Sequence, residues 1–149
     1  MAVSLMPMPN DHINAPNDPA IIDSMNPGNL AYLGDSVFEV LVRQRIVHNT
    51  NHAKLNKKAL AYVTAKAQAV MYHKLVELAT PDELAIMKRG RNFATKAPKS
   101  ASVSEYKHAT GLEALFGYLF LTGQIARTNE LFDALYTYTN EEKTHEPKK

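Results

Sequence analysis

The chain contains no cysteine. It therefore has no disulfide framework, no thiol nucleophile and no cysteine-ligated zinc site, which is typical of a protein in a reducing compartment. No apolar run approaches the roughly 18 residues that span a bilayer, and the first residues lack the basic and apolar regions of a signal peptide. We expect a cytoplasmic protein that has no contact with a membrane.

No stretch alternates apolar and polar residues over the length of a strand, whereas apolar residues recur at helical spacing through most of the chain. At 149 residues the chain is long enough for one domain with a core. We predict an all-α fold with a helical domain over residues 17–140, a flexible N-terminal arm over 1–16 and a disordered tail over 141–149. The predicted helices cover about 18–25, 29–48, 53–78, 81–91, 105–122 and 124–139.

Acidic residues are absent between Glu39 and Glu77, a stretch that holds seven lysine and arginine residues. Residues 29–127 carry 14 of the 17 basic side chains and 7 of the 15 acidic ones, although the formal net charge of the chain is only +2. Such a basic region is either an ordinary solvated surface or a surface that follows the phosphates of a nucleic acid. On charge alone both interpretations stay open.

Two carboxylates stand out because each lies within an apolar helix. Asp35 belongs to the segment LAYLGDS, and Glu113 belongs to the segment TGLEALFGYLF. An unpaired carboxylate is costly to bury, so each acid has either a lysine or arginine partner or a share in a bound divalent cation. Mg²⁺ prefers carboxylate oxygens, keeps several waters and leaves room for a phosphate. We interpret Asp35 and Glu113 as candidate metal-binding and catalytic residues that act on a polyanion.

Two other features surround this candidate site. Glu39, one helical turn after Asp35, either contacts the waters of the metal or pairs with Arg43 on the surface. A long loop is predicted over 90–104, and long loops in compact domains are often functional. The sequence Arg-Gly-Arg-Asn over 89–92 leads into this loop and offers two guanidinium groups that suit phosphate binding.

The segment LAYLGDSVFEVLVRQ resembles the signature helix of the ribonuclease III endonuclease domain, and TGLEALFGYLFLTG resembles the second metal-binding helix of that domain. With the sequence KRGRN between them and the short length, they resemble Mini-ribonuclease III, which lacks the double-stranded-RNA-binding domain. The resemblance spans about residues 20–138. It implies a homodimeric helical bundle with two sites along one RNA-binding valley. It also implies Mg²⁺-dependent hydrolysis of double-stranded RNA and maturation of the 23S ribosomal RNA precursor.

By position, the resemblance makes Asp35 and Glu113 the metal-binding acids. Full-length ribonuclease III has two further acids, at the positions that Ala31 and Thr110 occupy here. We therefore expect weaker Mg²⁺ binding than in a four-acid site, with Thr110 as a candidate that contacts the waters of the metal. Because the resemblance implies no separate RNA-binding domain, we predict that four basic residues bind the RNA: Arg89, Arg91, Lys96 and Lys99.

Tyr32 and Phe38 are the candidates for the dimer seam, although both could equally be core residues. Two other functions stay open. The first is a catalytically inert RNA-binding ribosome-assembly factor of the same fold, which the two missing acids would favour. The second is a helical protein–protein module with a basic face. The sequence also leaves open whether a ribosomal protein acts as a helper.

Overall fold

The computed structural model describes residues 11–13, 16–94, 97–99 and 101–145, with side chains up to residue 142. The described residues form seven α-helices and no strand, which confirms the predicted all-α fold. The helices are α1 (Pro19–Asp23), α2 (Pro27–Ile46), α3 (His52–Val63), α4 (Ala65–Leu78), α5 (Pro81–Phe93), α6 (Val103–Leu121) and α7 (Ile125–His145). Helix α6 is central and packs against α2, α4 and α5. In the described part of the chain, no helix is both long enough and apolar enough to cross a membrane.

The first residues of α5 and α6 are held by capping contacts. Thr80 and Glu83 at the start of α5, and Ser102 and Glu105 at the start of α6, each exchange side-chain-to-backbone hydrogen bonds in a capping box. Each box satisfies two backbone N–H groups that the first turn would otherwise leave unpaired. Gly123, with a φ of 70°, follows the last turn of α6.

Three predicted boundaries are wrong. The helix predicted over 53–78 is divided at Thr64, whose backbone is extended (φ −70°, ψ 153°) and whose side chain accepts a hydrogen bond from the N–H of Ala67. Threonine ends one helix and caps the next because its hydroxyl offers the backbone an alternative partner. Helix α5 continues to Phe93, so residues 90–92 lie in its last turn rather than in a loop. Helix α7 reaches His145, so the tail predicted from 141 begins inside a helix.

The position of Gly90 explains why α5 lies so close to α6. A Cβ atom at Gly90 would lie 2.7 Å from the Cβ of Ala114 and 3.1 Å from the carbonyl oxygen of Thr110. The glycine therefore allows a close contact between the two helices.

The two dimer-seam candidates on α2 differ in burial. Phe38 is fully buried and packs edge-on against the rings of Phe116 and Phe132, at centroid distances of 5.4 and 5.6 Å. The prediction that Phe38 lies at a dimer seam is therefore wrong, because its ring belongs to the core of this chain. Tyr32, in contrast, is 85% exposed.

Helices α2 and α6 cross so closely that their backbones are in direct contact. A Cβ atom at Gly34 would lie 1.6 Å from the carbonyl oxygen of Glu113, and one at Gly117 would lie 2.0 Å from the carbonyl oxygen of Leu30. The two glycines therefore allow the helices to meet with no side chain between them. Asp35 follows Gly34 directly, so this crossing brings the two candidate acids together.

Replacing Gly34 with alanine should push α2 and α6 apart, because the added methyl group would meet backbone atoms that cannot move alone. We expect the free energy of unfolding to fall by about 3 kcal/mol or more in urea denaturation. Gly28→Ala is the matched control. Its Cβ would meet the ring of Phe93, which is 48% exposed and can turn away, so we expect a loss below about 1 kcal/mol. Equal losses in the two variants would contradict the role assigned to Gly34.

Candidate active site

A pocket of about 1110 Å³ lies between α2, α6, the α3–α4 junction and the segment after α5. Helix α2 lines it with residues spaced about one turn apart, namely Gly28, Ala31, Tyr32 and Asp35. Helix α6 does the same with Tyr106, Ala109, Thr110 and Glu113. The remaining walls come from Val63, Thr64, Ala65, Lys66, Gln68, Phe93, Ala94, Pro98 and Ala101. The two acids that the sequence predicts as site residues thus face one cavity.

Glu113 is half-buried in this pocket. Burial raises its pKa to about 9, and the hydrogen bond and negative charge of Asp35, followed by the charge of Glu39, act in the same direction. Glu113 therefore holds a proton at neutral pH when no cation is beside it. At neutral pH the charged form of Glu113 therefore needs a positive partner in the pocket.

Asp35 is exposed, which corrects the expectation that both acids lie in apolar surroundings. The reason is geometric, because Asp35 lies on the side of α2 that lines the pocket rather than on the side that packs into the core. Burial in the pocket is the largest cause of the raised pKa of Glu113. The pair thus consists of one exposed carboxylate and one half-buried carboxylate whose pKa is raised by burial.

Glu39 makes the surface ion pair that was one of its two predicted roles. Its Oε2 accepts a hydrogen bond from Nη2 of Arg43 at 3.1 Å, one turn further along α2. Its charge nevertheless contributes to the raised pKa of Glu113. Contact between Glu39 and the waters of a metal stays a prediction.

The acidic pair is the part of the pocket that could hold a divalent cation. Among the residues that the structure describes, no three His, Cys, Asp or Glu side chains are grouped closely enough to bind a metal together. Ala31 and Thr110, which stand where two more acids would be, line the same pocket. The hydroxyl of Thr110 donates to the carbonyl oxygen of Tyr106 at 2.8 Å. Two carboxylates and a neighbouring hydroxyl suit Mg²⁺, which accepts few protein oxygens and keeps waters.

Arg89 is engaged by the fold. Its Nη1 donates to the carbonyl oxygen of Asp23 at 2.6 Å, and its Nη2 donates to that of Met25 at 3.0 Å. The guanidinium group thus ties α5 to the end of α1 and to the link between α1 and α2. These bonds satisfy carbonyl groups that the end of α1 leaves unpaired. Contact between Arg89 and RNA stays a prediction.

Of the other three predicted RNA-binding residues, the structure describes Arg91 and Lys99. Arg91 is half-buried, and its Nε donates to Oδ1 of the adjacent Asn92 at 3.4 Å. Lys99 is exposed, close in sequence to the pocket residue Pro98. Lys96 lies outside the described residues. Their contact with RNA also stays a prediction.

Sequence reasoning did not identify the α3–α4 junction as part of the site. Lys66 was counted only within a basic stretch, and Gln68 carried no signal at all, yet both line the pocket. The break at Thr64 is the feature that could have located them, because it turns the first residues of α4 into the cavity. A threonine within a run of strong helix formers is a candidate N-cap.

The fold and the pocket correspond to a known protein family. The ribonuclease III domain matches residues 28–124, a range that contains Asp35, Glu113 and all the residues that line the pocket. A crystal structure of a Fusobacterium nucleatum protein, solved as a structural genomics target, has a TM-score of 0.71 and 31% identity. That match covers 78% of this chain and 95% of the other.

Similar proteins identify the group within this family. The Mini-ribonuclease 3 of Symbiobacterium thermophilum is 43% identical over 114 residues, which are 74% of this chain and 88% of that protein. The Mini-ribonuclease 3 of Clostridium tetani is 33% identical over 129 residues, which are 84% and 85% of the two chains. This chain therefore belongs to the ribonuclease III family, in the group of Mini-ribonuclease 3 proteins. The predicted family and the predicted class of enzyme, an endoribonuclease, are confirmed.

Replacing Asp35 with asparagine should lower the pKa of Glu113, because it removes the adjacent negative charge. Since burial is the larger cause, we expect the pKa to fall from about 9 but to stay above the ordinary 4.5. Titration of the side-chain carboxyl carbons by NMR, without divalent metal, measures this directly. Glu39→Gln is the matched control and should give a smaller fall. An unchanged Glu113 titration in Asp35→Asn would show that the two carboxylates do not interact.

Proposed function

We propose that this protein is a Mg²⁺-dependent endoribonuclease that cuts double-stranded RNA, and that its substrate is the 23S ribosomal RNA precursor. The main support for the proposal is that Asp35 and Glu113 line one pocket of a chain from the ribonuclease III family. The pKa of Glu113 is raised to about 9 there, in part by Asp35. A pair that repels in this way is suited to share a divalent cation.

In this proposal Asp35 and Glu113 hold Mg²⁺ through carboxylate oxygens, and Glu39 and Thr110 contact its waters. When bound, Mg²⁺ supplies activation of water and shielding of the phosphodiester under attack. Glu113 must release its proton to act as a ligand, so metal binding and proton release are coupled. Because Ala31 and Thr110 provide no charge, we expect weaker Mg²⁺ binding than in a site with four acids.

We propose that the RNA enters along the walls that carry positive charge. Lys66 lies on the pocket wall and is exposed, so it can attract the phosphate backbone. Arg89, Arg91, Lys96 and Lys99 form the second part of this interface. A-form RNA presents a wide minor groove with 2′-hydroxyl groups and phosphates, so we expect recognition by shape rather than by sequence.

We further propose a homodimer. Tyr32 is 85% exposed on a helix that is otherwise central to the fold, and it lines the pocket beside Asp35. An aromatic side chain at such a position is well suited to pack against a second copy. We place the protein in the cytoplasm, where its ribosomal substrate would be made, and we treat residues 17–140 as the catalytic domain.

One alternative has an observation in its favour. Ala31 and Thr110 occupy pocket positions where two acids would complete a larger metal site. A chain with this reduced set of acids could bind structured RNA as a catalytically inert ribosome-assembly factor. The same pocket and the same basic side chains would serve that function, so only a cleavage assay separates the two proposals.

Asp35→Asn and Glu113→Gln should each lower the rate of cleavage of long duplex RNA by about 10²-fold or more. Both variants should still shift the duplex in a gel, because neither substitution removes a basic residue. EDTA should stop cleavage by the wild type, and with 23S precursor RNA as the substrate the mapped ends should fall at the ends of mature 23S RNA. Asp133→Asn is the matched control, since this surface acid on α7 pairs with Arg45 and does not line the pocket.

The alternatives predict other outcomes of that assay. Wild-type protein that binds the duplex but leaves it intact with Mg²⁺ would favour the inert assembly factor. Wild-type protein that fails to shift the duplex would favour the protein–protein module.

Arg91→Ala should weaken binding of duplex RNA and reduce the slope of log affinity against log salt by about one. Arg89→Ala should in addition lower the free energy of unfolding by about 1–2 kcal/mol, because it leaves the carbonyl groups of Asp23 and Met25 without their donor. Binding measured from low to high salt, together with thermal unfolding, tests both variants. A wild-type salt slope in Arg91→Ala would remove Arg91 from the interface.

A further inference from the structure

Gln68 has an unusual position in the pocket. It is only 3% exposed, and it lines the same cavity as Asp35 and Glu113. Within the described part of the chain, its side-chain amide makes no hydrogen bond. Its amide atoms are not fully enclosed, because among the described residues the hydroxyl of Tyr72 is the one fully enclosed side-chain polar atom without a partner, so the amide of Gln68 keeps contact with the pocket. The amide can therefore form hydrogen bonds with a group that enters the pocket.

The surroundings of Gln68 indicate which part of an RNA strand would reach it. The first turn of α4 begins at Ala65, after the N-cap Thr64, and both residues line the pocket together with Lys66. The N-terminus of a helix of this length attracts anions, and a lysine beside it adds to that attraction. A phosphate of the bound strand would therefore lie near Lys66. Gln68 is two residues further on, where the sugar next to that phosphate would lie.

The chemistry of the amide selects among the groups of that strand. A glutamine side chain offers one donor group and one acceptor group. A phosphate oxygen would use only the donor, and the water of a bound cation would use only the acceptor. A ribose 2′-hydroxyl both donates and accepts, so it satisfies both halves of the amide. The 2′-hydroxyl is also the group that distinguishes RNA from DNA.

We propose that Gln68 forms hydrogen bonds with a ribose 2′-hydroxyl of the strand in the pocket and thereby selects RNA over DNA. This inference rests on the proposed endoribonuclease function and adds a specificity-determining residue to it. It assigns the α3–α4 junction a role in reading the sugar, whereas the acids on α2 and α6 act on the phosphate.

The test uses one duplex RNA with a known cut site and a series of the same duplex, each with a single 2′-deoxy sugar near that site. For the wild type, we expect kcat/KM to fall roughly five- to tenfold at one position of the series, the effect of one lost hydrogen bond. Gln68→Leu should lose a similar factor on the all-ribose duplex. It should show less than a twofold further loss at the sensitive position.

Thermal unfolding of the Gln68 variants provides a second measurement. If Gln68 had a structural role, its replacement would lower the Tm. Because Gln68→Leu breaks no hydrogen bond within the described part of the chain, its Tm should equal or exceed that of the wild type. Gln124→Leu is the matched control, since Gln124 donates a hydrogen bond to Thr122 at 2.9 Å after the end of α6. That variant should lose stability and keep the wild-type response to 2′-deoxy sugars. Gln68→Met replaces Gln68→Leu if the branched side chain prevents folding.

Several outcomes would overturn the inference. One is a Gln68→Leu variant that keeps the full sensitivity of the wild type at every position. Another is a raised Mg²⁺ requirement with unchanged sugar sensitivity, which would place the amide on the waters of the cation. A lower Tm with unchanged selectivity would indicate a structural role. Wild-type protein that cuts no all-ribose duplex would instead refute the proposed function itself.

Discussion

The direct contact between the backbones of α2 and α6 determines where the functional groups lie. Gly34 and Gly117 each meet a carbonyl group of the opposite helix, so no side chain holds the two helices apart. As a result, Asp35 and Glu113 reach the same pocket although they are far apart in sequence. Gly90 allows a further close contact, between α5 and α6, on another side. The site is therefore a consequence of three small residues at helix crossings.

Bringing the two acids together has an energetic cost that the rest of the fold must offset. The pKa of Glu113 is raised in the folded chain, so its favourable contribution is complete below the unfolded value of 4.5 and is lost as the pH rises towards 9. At neutral pH the free site thus destabilises the fold, as functional sites often do. A cation bound between the two carboxylates would remove that penalty, so metal binding and stability are coupled.

Local features of the fold could be predicted from the sequence, and features that depend on distant contacts could not. The capping boxes at Thr80 and Ser102 use residues three positions apart, so the pattern alone identifies them. The resemblance placed Asp35 and Glu113 in one site, although it did not show that Asp35 is exposed. The engagement of Arg89 by two carbonyl groups, and the burial of Phe38, depend on how α1, α6 and α7 pack. No local pattern encodes those contacts.

The walls of the pocket contribute to binding as well as the two acids. Among the described residues that line the cavity, Lys66 is the one basic side chain, and Ala31 and Thr110 contribute no charge. Uncharged groups must therefore provide much of the contact with a molecule that binds in the pocket. Thr64 divides two helices and turns the first residues of α4 into the pocket, next to the acids. The break at Thr64 therefore places uncharged side chains in the pocket wall, where they can contact a bound molecule.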